Sequence, residues 1–342
     1  MQVIVAGAKD SDRWQSFVDQ HQMSFNYHRW PWKHIIEKVF RWRSFYLMAE
    51  KKGLVQGVLP LFWHKSSLFG NVLCSVPFFS QAGLVAGTEE ARDALVSEAM
   101  SIARQLKVDY LEMRHREESL PGMHSKKNKV MLVCDVYADS ERNMQQLGTK
   151  MRTNVRRALK SDLVAEFGGK ELLDDFYKMF SLRMRELGTP VYSRQFFETI
   201  CETFPTETFV CRILHRGRTI SGAFLTGYRD LMEANWSASD PLALPLRPNM
   251  FLFWNLLCFA GQRGYSTFDF GRSSVGSGTY NFKLQWGARP VQLYWNYWMR
   301  SGEKVLQLNP ENPRYRVAIW LWKRMPLGLT QLFGPLIARN LP

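Results

Sequence analysis

The residues best suited to chemistry gather in one stretch, FDFGRSSVGSGTYNFKLQWG, from Phe268 to Gly287. The pattern predicts a short buried strand with Asp269 and a Gly/Ser-rich loop with Arg272 and open N–H groups. Phe282-Lys283 would then enter another strand. Phe268, Phe270, Tyr280, Phe282 and Trp286 surround these polar groups, which a solvent-facing loop would not require. Fixed donors beside a carboxylate suit a reaction in which an oxyanion develops. One such donor is worth about 3 kcal/mol, and Lys283 or the N–H groups of Ser277-Gly278 could supply it. Asp269 would take up a proton if burial raises its pKa; alternatively it pairs with Arg272.

Two further segments carry candidate binding groups. In TKMRTNVRRALKSD, helical spacing makes an apolar stripe of Met151, Val155 and Leu159, and a cationic row of Arg152, Arg156 and Lys160 with Arg157 beside it. Like charges at that spacing repel, so an anionic ligand would stabilise them; the plain alternative is a solvated face. In RELGTPVYSRQFFE, Gly188 and Pro190 end a helix, and Ser193 N-caps the next. Tyr192 and Arg194 are then expected on the loop, where they could line a sugar or peptide site or serve only the turn.

The elements that must position these residues occur twice. Phe45–Trp63 and Val210–Tyr228 read as hairpins turning at Lys51-Lys52-Gly53 and Arg216-Gly217, with Gly57 and Gly222 at the same offset. A helix follows each, Glu89–Gln105 and Pro248–Arg263. A short strand with an acidic residue and an Arg comes next, Tyr110–Arg114 and Phe268–Arg272. The repetition predicts a duplicated α/β (α+β) fold with mixed central sheets. The expected domains are 1–148, 149–305, which would carry the chemistry, and a C-terminal tail, 306–342.

Composition narrows the classes. Hydrophobic residues at 46% and charged residues at 22% describe a globular chain. The five cysteines form no CxxC pair and the histidines show no ligand spacing, which points to a reducing compartment and to no metal site. No leader is evident at MQVIVAGAKDSDR, and no apolar run reaches the roughly 20 residues of a spanning helix. A cytoplasmic location is expected, with Met250–Ala260 a buried core helix. The net charge of +14 predicts an anionic partner or a solvated basic surface. No recognition-helix pattern or basic arm points to DNA.

With MRTNVRRALKSD, GTPVYSRQFFE, RPNMFLFWN, FDFGRSS and YNFKLQWG in this order, the chain resembles the FemAB family of tandem GNAT-like acyltransferases. More narrowly it resembles the FemAB-type proteins associated with exosortase/PEP-CTERM and exopolysaccharide loci. The resemblance covers most of Phe45 to Trp298. It implies transfer of an acyl group, often an aminoacyl group from charged tRNA, to an amine on a cell-envelope precursor. Phe282-Lys283 matches the pair lying against the donor's ribose end and reacting carbonyl, and Arg152 and Arg156 match the basic interdomain helix. Asn249, Arg272, Ser277, Gly278 and Tyr280 fall in the matching segments as substrate-binding candidates.

The chain departs from the pattern in two ways. Ala243 to Asn249, before the second helix, holds no glycine and two prolines, which disfavours a cradle for the CoA pyrophosphate. In the first half Glu89 and Glu90 would repel phosphate. The run Arg272–Gly278 is superficially like the cradle motif but is read as preceding no helix, and no sustained heptads suggest a tRNA-binding arm. The donor is left as charged tRNA or acyl-CoA, with no other cofactor implied. The tail sets Val317, Ile319, Trp320, Leu321 and Trp322 among Arg314, Arg316, Lys323 and Arg324, followed by an apolar patch, Leu327–Ile337. It reads either as an interfacial segment at the inner membrane, making a lipid-linked glycan precursor the natural acceptor, or as a tail packed on the body. Three readings remain: envelope acyltransferase, CoA-dependent N- or O-acetyltransferase, and non-catalytic scaffold.

Overall fold

The computed structural model describes residues 1–66, 70–116, 120–300 and 316–340. The chain forms two compact units. The first holds Met1–Lys129 and takes in the chain again from Gln292; the second holds Val130–Val291 and the helical segment ending at Ala338. The expected boundary at 148/149 is therefore displaced, and the second domain does not extend to 305. The reason is strand pairing: residues 293–299 form an antiparallel ladder with residues 110–116, which draws them into the first unit.

In the first unit the sheet order is β1 (Gln2–Val5), β2 (Arg43–Lys51), β3 (Leu54–Ser66), β4 (Gly70–Ser75), β6 (Tyr110–Arg116) and β14 (Arg289–Met299). The short β5 (Val85–Ala86) pairs with β3, and β7 (His124–Lys126) with β14. Helices α1 (Ser11–Gln20) and α2 (Pro31–Phe40) precede the β2–β3 hairpin, which turns at Lys52-Gly53 as expected. Helix α3 (Glu89–Gln105) has the expected bounds, and the Thr88 side chain caps its first turn.

In the second unit the order is β8 (Lys129–Asp135), β13 (Thr267–Ser274), β12 (Leu231–Ser239), β11 (Arg218–Tyr228), β10 (Thr208–His215) and β9 (Val164–Gly168). The expected β10–β11 hairpin is present. Helices α4 (Ser140–Gln146), α5 (Thr149–Leu159), α6 (Leu173–Leu187), α7 (Arg194–Thr203), α8 (Pro248–Gln262), α9 (Gly278–Leu284), α10 (Arg316–Arg324) and α11 (Leu327–Ala338) complete it. Alternation along β11 sends Ala223 and Leu225 into the core shared with α8. Phe224 goes to the opposite face, against Phe176 of α6 and Phe197 of α7. Helix α8 is apolar all round and deeply buried, a core helix as its sequence suggests.

The duplication is real, but each copy holds a strand that the reading of the repeats passed over. β4 and β12 follow the hairpins and pair in parallel with β6 and β13. The matched glycines have a steric role. A Cβ on Gly57 would lie 3.0 Å from the Val85 carbonyl oxygen, and one on Gly222 would lie 2.9 Å from that of Cys211.

Helix ends follow the sequence closely. Gly188 closes α6 in the left-handed conformation, at φ 77°, and the Ser193 side chain accepts from Phe196 N to cap α7. Arg194 is the first residue of α7 and not part of the loop. In α5 Met151 and Val155 are buried, but Leu159 is 43% exposed and Ala158 takes the inward position. The stripe bends because 3.6 residues per turn carry every fourth position slowly around the helix.

Candidate active site

The site lies where two parallel strands part. β12 and β13 pair at only three positions, the last being Glu233 with Asp269. Beyond it β12 continues to Ser239 and β13 to Ser274. Both carboxylates are buried, Glu233 at 7% exposure and Asp269 at 1%. Asp269 Oδ1 accepts the N–H of Gly271 at 2.8 Å. Gly271 has φ 76°, a conformation that turns the chain out of the strand and that glycine adopts without strain.

The Phe-Lys pair does not enter a strand. It sits on the short helix α9, which Ser277 caps by accepting from Tyr280 N at 3.2 Å. The run Arg272–Gly278 therefore does precede a helix, though one of only 7 residues. Helical geometry turns Phe282 onto the rings of Phe253 and Trp286, so its neighbour Lys283 comes back over the fork. Lys283 Nζ donates to the carbonyl oxygens of Gly271 at 2.9 Å and Arg272 at 3.1 Å. Burial lowers its pKa to about 8. The negative charges of Asp269 and Glu233 oppose the shift, while the positive charge of Arg272 adds to it. A half-buried ammonium thus lies within electrostatic reach of two buried carboxylates, poised to lose its proton near neutrality.

The remaining candidates fall around this fork or away from it. Arg272 lies within β13 and not on the loop, and is exposed, as is Gly278 in the first turn of α9; Tyr280 packs partly on the core. Asn249, in the first turn of α8, accepts from the Ser239 hydroxyl at 2.6 Å, at the far end of the arm of β12 that lies beyond its pairing with β13. Tyr192 sets its ring 6.0 Å from that of Trp236 on the same arm. The guanidinium of Arg194 is held by Asp174 at 2.6 Å and Glu198 at 2.9 Å, so its charge is already matched. Arg152 donates to Thr149 Oγ1 and Arg156 is exposed, both on α5 inside the second unit. An open groove runs between the start of α5 and the end of α9, lined by Thr149, Lys150, Leu284 and Gln285.

Sequence reasoning missed Glu233. Its strand carries Met232, Ala234, Trp236 and Ala238 at alternate positions, a period-2 signal that locates the strand but sets Glu233 on the polar face, so its burial is not legible there.

The approach to α8 bears on a CoA donor. A 3-10 turn, Pro241–Leu246, leads into Pro248 at the first helical position, and the N–H groups of Met250 and Phe251 both bond to the Arg247 carbonyl. Three prolines and no glycine leave little backbone to wrap a pyrophosphate, so these residues do not fit a cradle of that kind.

The first unit holds the same fork in a closed form. Its parallel pair ends at Cys74 with Glu112. Arg114 Nε bonds to Glu112 Oε1 at 2.5 Å and Nη1 to the Phe79 carbonyl at 2.8 Å. The Trp295 ring covers the guanidinium at 4.4 Å. Both members of the pair are buried, and burial pushes the Cys74 thiol up to about 12. In the first unit a buried arginine on the strand itself bonds the carboxylate, whereas in the second a half-buried lysine comes from the following helix.

Residues 149–284 match the family model described as an acetyltransferase (GNAT) domain. Among solved structures the chain is similar to FemX, with a TM-score of 0.66 at 14% identity, over 93% of this chain and 100% of that one. It is also similar to a tandem GNAT protein from the clavulanic acid biosynthesis pathway, with a TM-score of 0.57 at 11% identity, over 89% and 99% of the two chains. The fold is a tandem GNAT fold. L-PGS from Bacillus licheniformis aligns with a TM-score of 0.54 at 14% identity, over 89% of this chain and 96% of that one. No curated protein matches the sequence. Among the described residues no helix is long and apolar enough to cross a membrane.

Proposed function

We propose that this protein is an acyltransferase whose second unit moves an acyl or aminoacyl group to an amine of a cell-envelope or exopolysaccharide precursor. The observation that carries the reading is the half-buried Lys283 ammonium, held by the Gly271 and Arg272 carbonyls within electrostatic reach of Glu233 and Asp269, where β12 and β13 part. The closed fork of the first unit supports placing the chemistry in the second.

In this mechanism the acceptor nitrogen, neutral on attack, forms a bond to the donor's carbonyl carbon. The oxygen that becomes negative lies at the Lys283 ammonium, whose third N–H is not used by Gly271 or Arg272. The proton that the nitrogen sheds goes to the Glu233 or Asp269 carboxylate. The bond from carbon to the donor's oxygen or sulfur then breaks, and the leaving atom takes a proton from Lys283, which the carboxylate restores. Phe282 positions Lys283 by packing on Phe253 and Trp286. Asn249, Tyr192, Arg272, Ser277, Gly278 and Tyr280 border the acceptor and donor path, and Arg152 and Arg156 meet the donor's phosphates. Arg194 has the weakest claim to a ligand, because two carboxylates already hold it.

Charged tRNA is favoured as donor by the surplus of 14 positive charges, the poor fit of the α8 approach to CoA, and the likeness to FemX and L-PGS. The motifs resembling the exosortase-associated FemAB-type proteins support an exopolysaccharide or lipid-linked acceptor and a cytoplasmic site of action. The test is donor binding, titrating wild type and Lys283→Ala with acetyl-CoA and with pooled charged tRNA. Tight binding of charged tRNA that weakens in the variant supports aminoacyl transfer. Saturable acetyl-CoA binding sinks the donor assignment and favours an acetyltransferase. Binding of neither favours a scaffold.

A further inference from the structure

Helix α11 is built inside out, and α10 beside it also exposes large apolar residues. The buried positions of α11 are Thr330, Gly334 and Ala338, small residues at intervals of four, while Leu329, Leu332, Phe333 and Leu336 are 43–63% exposed. In α10 the buried residue is Trp322, while Val317, Trp320 and Leu321 are 52–69% exposed. Burying small side chains and exposing large ones reverses the usual economy of an amphipathic helix. Seven of the 17 large apolar residues that are exposed among the described residues fall between 317 and 336. Single exposed leucines need no explanation; a cluster of this kind marks an interaction surface.

The inward faces hold the two helices in place. Both pack on α6. A Cβ on Gly188 would lie 2.5 Å from Ile319 Cγ2, and one on Gly334 would lie 3.1 Å from the Val191 main chain. Close contact at these glycines fixes which face is presented. Arg314 lies outside the described residues.

Charge selects the occupant. Residues 316–340 contain Arg316, Lys323, Arg324 and Arg339 and no acidic residue. Arg324 lies over the Trp320 ring at 3.9 Å, joining cation and aromatic at one level. Apolar side chains, tryptophan and unopposed cations on helices too short to span suit the headgroup region of an anionic bilayer. We infer that the outer face of α10 and α11 docks this protein onto an anionic lipid surface. The inference stands on these residues alone and not on the acyl-transfer reading.

The test is co-sedimentation of the full chain with phosphatidylcholine vesicles, with and without phosphatidylglycerol. Wild type is expected to bind the anionic vesicles and to be released by salt. Lys323→Gln with Arg324→Gln should bind about thirtyfold more weakly, at roughly fivefold per surface cation. Leu332→Ser with Phe333→Ser should lose binding while keeping the circular dichroism spectrum, since both residues are exposed. Failure of wild type to bind, or binding that the Ser substitutions leave unchanged, overturns the inference. So does a wild-type dimer that does not bind vesicles and that the Ser substitutions dissociate, because a second copy would then cover the face.

Discussion

The titration of Lys283 tests the site without knowledge of the substrate. An ordinary lysine, with a pKa near 10.5, is neutral in about 0.03% of molecules at pH 7. A value of about 8 raises the neutral fraction to roughly 10%, some 300-fold more. Competitive labelling with trace acetic anhydride, followed by mass spectrometry of the Lys283 peptide across pH, reads this directly. The midpoint should lie near 8, well below those of the exposed lysines. Asp269→Asn should lower it further, because Asp269 is the stronger of the two carboxylates opposing the shift; Glu233→Gln should lower it less. Asparagine keeps the acceptor for Gly271 N, so the loop need not move. Arg272→Gln should raise the midpoint. Thermodynamic linkage has a definite sign. Between about pH 8 and 10.5 the unfolded chain still holds a proton that the folded one has released, so this residue adds to stability as pH rises through that window. A midpoint at or above 10, or an upward shift in Asp269→Asn, would refute the picture of a desolvated ammonium facing two carboxylates.

Other expectations follow from the same geometry. If the Lys283 ammonium stabilises the oxyanion, Lys283→Ala should lower kcat by about 10²- to 10³-fold. Wild-type kcat should fall as pH rises through about 8; a rise would make Lys283 a base. Gly271→Ala places a side chain at φ 76° and should cost about 1–2 kcal/mol, visible in the thermal midpoint. In the first unit, Arg114→Ala leaves Glu112 buried without its cation and should cost about 3–5 kcal/mol in chemical denaturation. The same variant should not alter the titration of Lys283, since the charges that act on Lys283 all lie in the second unit.

Much of this architecture is written locally. The two hairpins, the bounds of α3, the cap at Ser193 and the stop at Gly188 all follow from turn residues, capping side chains and periodicity within a few positions. The same local chemistry picked out Asp269 and Lys283. It misjudged α9, because a seven-residue helix of Thr, Tyr, Asn and Phe has little helical propensity of its own and owes its form to the Ser277 cap and to Phe282 packing on the core.

What the chain could not declare locally are contacts between distant segments. Glu233 and Asp269 are 36 positions apart and meet only because α8 carries the chain back to lay β13 parallel to β12. The fate of each fork was equally hidden. Tyr110–Arg114 and Phe268–Arg272 look alike as sequence, yet in one the arginine closes on its own glutamate, while in the other a lysine from the following helix lies within electrostatic reach of two carboxylates. The faces that α10 and α11 present are fixed by how closely Gly188 and Gly334 let them approach. Local propensity acts through neighbours along the chain, whereas burial and charge act through neighbours in space, and at this site only the fold brings those together.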